Sequence, residues 1–373
     1  MRDSTCAADL AAIAACLRGD RATATATPLT FLTEAAAETY LEARLLTSPR
    51  PEPDRFEIAL TQFGLTIANA FAPTERATAL AAGWTALYRS ELGDIAVIEH
   101  PSSDATGTSA LDQRQLEALV LHELIHALQD RDRGLGDFAQ SYERDSDGIL
   151  RGMSVIEGEA DWYEQRFFAA LSGQDVTQID WASYFESRRE STEAWLFARP
   201  DLYSSTLLRV PYSHGASYVY GVWSAENPSA VRALFDAPPA NMRDLLASFW
   251  GGATLAEAAV PDRAGTPAGL ELDTWTTLGA WNLYLLLRPR LGSPDSARQL
   301  ALDWRGDRFE VFAYDGAETA ARWTIHLADA DAASQLIGAL ADNPQFEAER
   351  SGNRVQIVTA STNPPPAPLM AFP

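Results

Sequence analysis

The segment LHELIHALQD, residues 121–130, constrains the fold of this chain more than any other stretch. It holds two of the five histidines, His122 and His126, and Glu123 follows the first of them. Residues four positions apart lie on the same face of an α-helix, so both imidazoles can direct a ring nitrogen at one metal ion. Because histidine is rare in this chain, a chance match to this pattern is not expected. The segment therefore predicts a metal-binding helix.

The flanking residues predict a helix over 113–132. Asp112, with Gln115 three positions later, forms the pattern of a capping box at its start. Gly134 follows the last helical residue, where glycine commonly ends a helix. Apolar side chains recur between these ends at helical spacing, at Leu116, Leu119, Val120 and Leu124. The two histidines are thus expected on a regular helix with an apolar stripe.

A third metal ligand is expected on the next predicted helix. A catalytic zinc site usually has three protein ligands and one open position, so two histidines do not complete it. The segment VIEGEADWYE, residues 155–164, offers Glu157 as the third ligand, far enough beyond His126 for a loop and an antiparallel return. Asp161 is on the same face and could accept the free N–H of a liganding histidine, which would fix its tautomer. Glu159 points to another side and is the rival third ligand.

Two further roles are assigned to nearby residues. Glu123 lies about 100° around the helix from His122, so it flanks the metal, and its carboxylate can deprotonate a bound water. The segment RVPYSHG, residues 209–215, offers donors for a developing oxyanion, the O–H of Tyr212 and an N–H of His214. The alternative is that Tyr212 is a core residue and His214 a turn residue before a glycine.

A β-hairpin is predicted just before the metal-binding helix. Apolar and polar residues alternate on both sides of ELGD within residues 84–100, a pattern typical of paired strands. Zinc proteases commonly bind an extended substrate by backbone pairing with an edge strand. The strand IAVIE, residues 95–99, is the candidate for this role.

These segments resemble known zinc proteases. HExxH followed on a later helix by Glu-x-x-x-Asp is similar to the gluzincin arrangement of the thermolysin-like proteases. EGEAD, residues 157–161, resembles a segment of the prenyl-protein-processing zinc proteases, which are membrane proteins. HELIHALQD, DSDGILRGMSVIEGEAD and VPYSHGASYVYGVW together resemble a group of largely uncharacterised soluble bacterial HExxH proteins, over about residues 80–310. The resemblance implies a zincin-like core, Zn²⁺ as cofactor and a peptide or protein substrate.

The charge balance argues against two classes of partner. The net charge is −22, from 29 basic and 51 acidic residues. A protein that binds nucleic acid or an anionic membrane surface needs a positive face, so neither partner is expected. No apolar run reaches the roughly 20 residues of a membrane span, and none is expected here.

The cellular compartment remains open at this stage. MRDSTCAADL, at the start, lacks the long apolar region of a signal peptide. The chain is therefore either intracellular or the mature form of an exported protein with an added Met, and we favour export. Cys6 and Cys16 could form a disulfide across a helical hairpin, or both could be small buried apolar residues.

The chain as a whole predicts a mainly helical α+β protein. Its 46% apolar residues are enough for a sizeable core. Four parts are expected: an N-terminal helical region (1–79), a zincin-like metallopeptidase core (80–295), a small α+β unit (296–362) and a Pro-rich tail (363–373).

The function expected from this sequence is that of a zinc metallopeptidase. One alternative is a zinc hydrolase of another amide or ester, which would use the same water chemistry. The other is an inactive zinc-bearing binding or structural protein. Glu123 disfavours the last, because a structural zinc site needs no general base.

Overall fold

The computed structural model describes residues 4–20, 27–47, 55–67, 73–100, 112–140, 145–225, 227–253, 258–263, 265–266, 269–314 and 318–360. The predicted Pro-rich tail lies outside these residues. The described chain is mainly helical and contains two small β-sheets, which confirms the predicted α+β class. None of its helices is both long enough and apolar enough to cross a membrane.

The elements are numbered here in chain order. The helices are α1 (Ser4–Arg18), α2 (Glu34–Thr47), α3 (Arg55–Gln62), α4 (Pro73–Gly83), α5 (Gln113–Arg133), α6 (Leu135–Gln140), α7 (Ser146–Leu171), α8 (Trp181–Phe197), α9 (Leu202–Val210), a π-helix (Pro211–Gly215), α10 (Ala216–Ala225), α11 (Pro228–Ala233), α12 (Met242–Trp250), α13 (Gly279–Leu291), α14 (Pro294–Leu302) and α15 (Ala330–Leu340). The strands are β1 (Leu29–Thr33), β2 (Ala86–Arg89), β3 (Asp94–Glu99), β4 (Glu271–Thr276), β5 (Trp304–Tyr314), β6 (Glu318–Leu327), β7 (Glu347–Ser351) and β8 (Arg354–Ala360).

Helix α5 begins and ends where the sequence predicts. The Asp112 side chain accepts a hydrogen bond from the backbone N–H of Gln115, whose side chain accepts one from the Asp112 N–H. Gly134 ends the helix with φ 65°, a left-handed conformation that glycine adopts without a steric penalty. This confirms the capping box and the stop. The middle of α5, including residues 120–126, is buried against α7, α1 and the first sheet.

The first sheet has the strand order β1-β3-β2. The antiparallel pairing of β2 with β3 confirms the predicted hairpin, while the parallel strand β1 was not predicted. The expectation that residues 95–99 form the free edge is wrong, because β3 is paired on both sides. Residues 95–98 are all buried, which is typical of a strand covered on both faces. Among the described strands, β1 and β2 form the two edges of this sheet.

Helix α7 carries the predicted third ligand and makes an unusually close contact. It begins at Ser146, well before the segment 155–164 that carries Glu157. A Cβ atom at Gly158 would lie 2.5 Å from the carbonyl carbon of Gly215 in the π-helix, and one at Gly215 would lie 2.3 Å from the backbone oxygen of Ser154. Only glycine allows backbones to approach this closely. The contact brings the π-helix against the part of α7 that carries Glu157.

The second sheet has the order β4-β5-β6-β8-β7. Residues 296–362, which the sequence predicts to form a small α+β unit, contain strands β5 to β8 and helix α15. β4 lies before the predicted boundary at 295 and pairs with β5 beyond it, so both sides share one sheet. Asp307 of β5 accepts hydrogen bonds from the backbone N–H groups of Leu278 and Gly279 at the start of α13. The second sheet is thereby joined to the helical body.

Neither alternative expected for the two cysteines holds, because both lie on helix α1 and Cys16 is exposed rather than buried. Both Cys6 and Cys16 lie on this single helix. Ten residues of α-helix separate their Cα atoms by roughly 15 Å, whereas a disulfide requires less than about 7 Å. Cys16 is an exposed free thiol. A disulfide between these two cysteines within one chain is therefore excluded.

Candidate metal centre

Three side-chain atoms from α5 and α7 converge on one buried point. The Nε2 atoms of His122 and His126 lie 3.0 Å apart, and Oε2 of Glu157 lies 3.3 and 3.2 Å from them. Ligands bound at about 2.0–2.2 Å to a tetrahedral ion are separated by roughly 3.3 Å. Among the residues that the structure describes, this is the one group of three or more His, Cys, Asp or Glu side chains that could hold a metal ion.

The other nitrogen of each imidazole is hydrogen-bonded, which fixes where the ring protons lie. His122 Nδ1 lies 2.9 Å from Oε2 of Glu164, and a carboxylate oxygen accepts, so this nitrogen carries a proton. His126 Nδ1 lies 2.8 Å from the amide oxygen of Gln129, which also accepts. In the neutral rings both Nε2 atoms therefore direct a lone pair at Glu157. Three acceptor atoms this close repel one another unless a positive charge lies among them.

The electrostatics of the group also favour a positive charge. Burial lowers the pKa of His122, but hydrogen bonds to Glu157 and Glu164 outweigh burial and raise it well above its ordinary value. Burial raises the pKa of Glu157, yet the charge of His126 and hydrogen bonds from both histidines bring it well below its usual range. The point where the three atoms meet therefore stabilises a cation, either a proton or a metal ion.

The carboxylate beside His122 is not the predicted one. Asp161 instead forms an ion pair with Arg188 of α8, with Nη2 to Oδ1 at 3.0 Å. Glu164 occupies the expected position because it follows Glu157 by seven residues, about two helical turns, and so returns to nearly the same face of α7. This spacing is visible in the sequence and would have identified Glu164.

The rival third ligand has a different set of contacts. Glu159 is fully buried and receives hydrogen bonds from Arg18 of α1 and from the amide nitrogen of Gln129. Gln129 was not predicted either, although it follows His126 by three residues and so shares its face of α5. Arg18 lies far from the motif along the chain, so the motif alone could not predict its contact with Glu159.

Glu123 lies next to the three converging atoms but is not one of them. Its Oε2 accepts a hydrogen bond from the backbone N–H of Tyr88 in β2, at 2.5 Å. Burial raises the pKa of Glu123, and the neighbouring histidines oppose this shift. The carboxylate is thus held by the β2 edge of the first sheet, beside the candidate metal position.

Tyr212 lies at the centre, on the π-helix. Its ring stacks on that of His122, with centroids 5.9 Å apart and planes inclined by 20°. Burial raises the pKa of the phenol well above its ordinary value, and the neighbouring carboxylates of Glu157 and Glu123 raise it further. Short π-helical segments often occur at functional sites. Here the segment presents a phenol donor to the candidate metal position.

His214, the other predicted donor, faces away from the centre. Its Nδ1 is hydrogen-bonded to the hydroxyl of Ser213 at 2.9 Å, and its Nε2 lies 3.5 Å from Oε1 of Glu193. The ring packs edge-on against Trp281. Residues two positions apart do not share a helix face, so the π-helix cannot bring both Tyr212 and His214 to one site. The expectation that His214 donates to the substrate is corrected accordingly.

Comparisons of this chain with family models, with curated proteins and with solved structures found no match. The residues of the centre themselves therefore carry the functional inference. They comprise three convergent ligand atoms, an adjacent carboxylate and a nearby phenol.

Proposed function

We propose that this protein is a zinc-dependent peptidase of gluzincin type with a zincin-like core. The observation that carries the proposal is the convergence of two imidazole nitrogens from α5 and one carboxylate oxygen from α7. Glu123 lies beside them, on the same helix as the two histidines. Imidazole ligands suit zinc and other transition metals better than magnesium or calcium, which prefer oxygen. His122, His126 and Glu157 would hold the zinc.

Glu123 is suited to the role of general base. Zinc bound at this site would lower the pKa of a coordinated water to about 7 and polarise the substrate carbonyl. The Tyr88 N–H orients the Glu123 carboxylate through Oε2, which leaves Oε1 to take the proton of the attacking water. Since burial raises the pKa of Glu123, the carboxyl group can hold that proton and then donate it to the leaving amine.

Tyr212 is suited to stabilise the developing oxyanion. A tyrosine phenol is protonated near neutral pH, so Tyr212 is available there as a hydrogen-bond donor. When Glu157 binds a metal, the Tyr212 hydroxyl can turn from that carboxylate to the carbonyl oxygen of the substrate. The bond would be strongest when the oxygen carries charge, which is the condition for a contribution to catalysis.

The free edge of β2 supports a peptide as the substrate. The backbone N–H of Ile98 donates to the Thr85 oxygen, and Leu87 pairs with Ala96 in the same register. By antiparallel alternation, the N–H and C=O of Ala86 point away from β3. An extended chain can pair with these groups while Glu123, bound to the same strand at Tyr88, takes the proton of the water that attacks the carbonyl of the chain.

The decisive test compares wild type with Glu123→Gln. Both proteins are loaded with zinc and incubated with a peptide library and with a set of amide and ester substrates. We expect peptide cleavage by the wild type and a loss of about 10²–10⁴-fold in the variant, with the zinc content unchanged. Cleavage of only esters or non-peptide amides would replace the peptidase with another hydrolase. Equal rates for both proteins would leave a metal-binding protein without hydrolytic function.

A further inference from the structure

We propose that Arg18 and Glu159 are positioning residues for the metal ligand His126. They act through Gln129, whose amide they orient, and thereby determine which nitrogen of His126 is free to bind the metal. This inference rests on the proposed metal site. Of the three residues, only Gln129 is hydrogen-bonded to a proposed ligand, His126. Through Arg18, helix α1 becomes part of the centre.

The four side chains form one continuous buried hydrogen-bonded chain. Arg18 Nε lies 3.0 Å from Oε1 of Glu159, and Nη2 lies 3.3 Å from Oε2. The amide nitrogen of Gln129 donates to the same Oε2 at 2.9 Å, and its oxygen lies 2.8 Å from Nδ1 of His126. Arg18, Glu159 and Gln129 are all 1% exposed or less. Water therefore does not compete for these bonds.

The donors and acceptors of these four hydrogen-bonded side chains can be arranged in only one way. The Gln129 amide nitrogen also donates to the backbone oxygen of Ile156 at 3.0 Å. A carbonyl oxygen and a carboxylate bound to a guanidinium both accept, so the group that faces them must be the NH₂. The amide oxygen must then face His126, and Nδ1 of that ring must carry the proton. The lone pair of its Nε2 is left for the metal.

Arg18 supplies the charge that keeps Glu159 in place. Its Nη1 also lies 2.9 Å from Asp132, near the end of α5, so the guanidinium joins α1 to both metal-binding helices. A buried carboxylate without such a partner is strongly destabilised, and it would take up a proton or move toward water. In either case only the Ile156 backbone oxygen would still require the NH₂ of Gln129 on that side, and the orientation of the amide would be held less firmly.

His122 provides an internal reference because its tautomer is set separately. Its Nδ1 is hydrogen-bonded to Glu164, which is not connected to Arg18, Glu159 or Gln129 by a hydrogen bond among the described residues. A change at Glu159 should therefore alter His126 alone. A merely structural ion pair between α1 and α7 would not discriminate between the two rings.

The experiment measures zinc affinity and imidazole tautomers in the full-length chain. The variants are Glu159→Gln, Arg18→Met and the conservative Arg18→Lys. The zinc affinity of each variant is measured by competition with a chromogenic chelator, and the tautomers are measured on the metal-free protein. The tautomers are read from ¹⁵N chemical shifts after histidine-selective labelling, which is tractable with five histidines, at a pH high enough to leave both imidazoles neutral. We expect zinc to bind about 10–100-fold more weakly in Glu159→Gln and Arg18→Met. The metal-free variants should also show a new Nε2–H tautomer at His126 only, with Arg18→Lys intermediate.

Glu310→Gln is the matched control. Glu310 and Arg322 form an equally buried ion pair, both 1% exposed and 2.8 Å apart, in the second sheet. This variant should lose stability yet keep the wild-type zinc affinity and tautomers. If Glu159→Gln does not fold, Arg18→Lys carries the test.

Two results separate this inference from the proposed function. Unchanged tautomers at His126 in the variants would overturn the positioning role, even if the wild type binds zinc tightly. A wild type that binds no zinc would overturn the proposed function, while the tautomer of its His126 would still decide the positioning role.

Discussion

Gly158 of α7 and Gly215 of the π-helix are in direct backbone contact, and this contact determines how close Tyr212 comes to His122. A Cβ atom at position 158 would lie 2.5 Å from the Gly215 carbonyl carbon, where only backbone is available to move. The Tyr212 ring lies on the same short π-helix and stacks on His122 at 5.9 Å. The contact between the two glycines thus brings the Tyr212 ring close to His122, a proposed metal ligand.

Gly158→Ala should therefore displace the π-helix. We expect a loss of stability of about 1–3 kcal/mol, as for other overpacked interiors, together with a lower turnover rate. Urea unfolding and steady-state kinetics measure the two effects. The control is Gly221→Ala on α10, where no atom lies within 4 Å of the new Cβ. That change should stabilise the helix by up to about 1 kcal/mol and leave turnover unaltered. If Gly158→Ala behaves like the control, the close contact does not position Tyr212.

The second prediction concerns the metal ligands. His122→Ala, His126→Ala and Glu157→Ala should each abolish stoichiometric zinc binding, because each removes one of three convergent atoms. Elemental analysis after dialysis measures the zinc content. Addition of zinc should raise the melting temperature of the wild type but not of Glu157→Ala, since only a folded protein with its site intact gains from binding.

His100→Ala serves as the control for ligand removal. His100 bonds to the backbone oxygen of Trp84 and to Glu34, at an exposed position. Its loss should leave zinc binding unchanged. Full zinc content in Glu157→Ala would move the third ligand to another residue.

The parts of the centre that the sequence predicts are those that depend on local geometry. His122 and His126 share a face because they are four residues apart on one helix, whatever the rest of the chain does. The cap at Asp112 is similarly local. Glu157 required one further assumption, that the next helix returns alongside α5.

The remaining features depend on contacts between distant segments. The parallel addition of β1 covers the open side of β3, so β3 is no longer an edge strand, and no pattern within the hairpin predicts it. Arg188 of α8 draws Asp161 away from His122, and Arg18 of α1 holds Glu159. The π-helix turns Tyr212 toward the centre and His214 away from it, although both were equally good candidates in the sequence.

The third prediction concerns Tyr212. Tyr212→Phe keeps the ring that stacks on His122 but removes the hydroxyl. Zinc content and stability should stay close to the wild type, while kcat falls by about 10²-fold with a smaller change in KM. This pattern is expected when a bond forms chiefly in the transition state. Steady-state kinetics on a cleaved peptide measure both constants, and an equal change in kcat and KM would argue against an oxyanion donor.

The fourth prediction concerns the pH dependence of stability, through Asp147. This side chain of α7 is 3% exposed and accepts one hydrogen bond, from the backbone N–H of Met242. Its other oxygen has no hydrogen-bond partner among the described residues and lies against Gly279. Burial, together with the charge of Asp145, raises the pKa of Asp147 to about 8. The folded protein should therefore hold this carboxyl group in its protonated form at neutral pH.

A raised pKa for a carboxyl group lowers stability as the pH rises. Below about pH 4 both the folded and unfolded chains are protonated at Asp147, and the burial of a neutral group costs little. Between about pH 4 and 8 only the folded chain keeps the proton, so this group lowers the free energy of unfolding by about 1.4 kcal/mol per pH unit.

Asp147→Asn, which resembles the protonated carboxyl group, removes this dependence. Its stability relative to wild type should thus rise across that window and level off above pH 8. Urea unfolding from pH 4 to 9 measures the difference, with Glu349→Gln, at an exposed carboxylate of β7, as the control. A constant difference between Asp147→Asn and wild type over this range would mean that Asp147 is ionised in the folded protein.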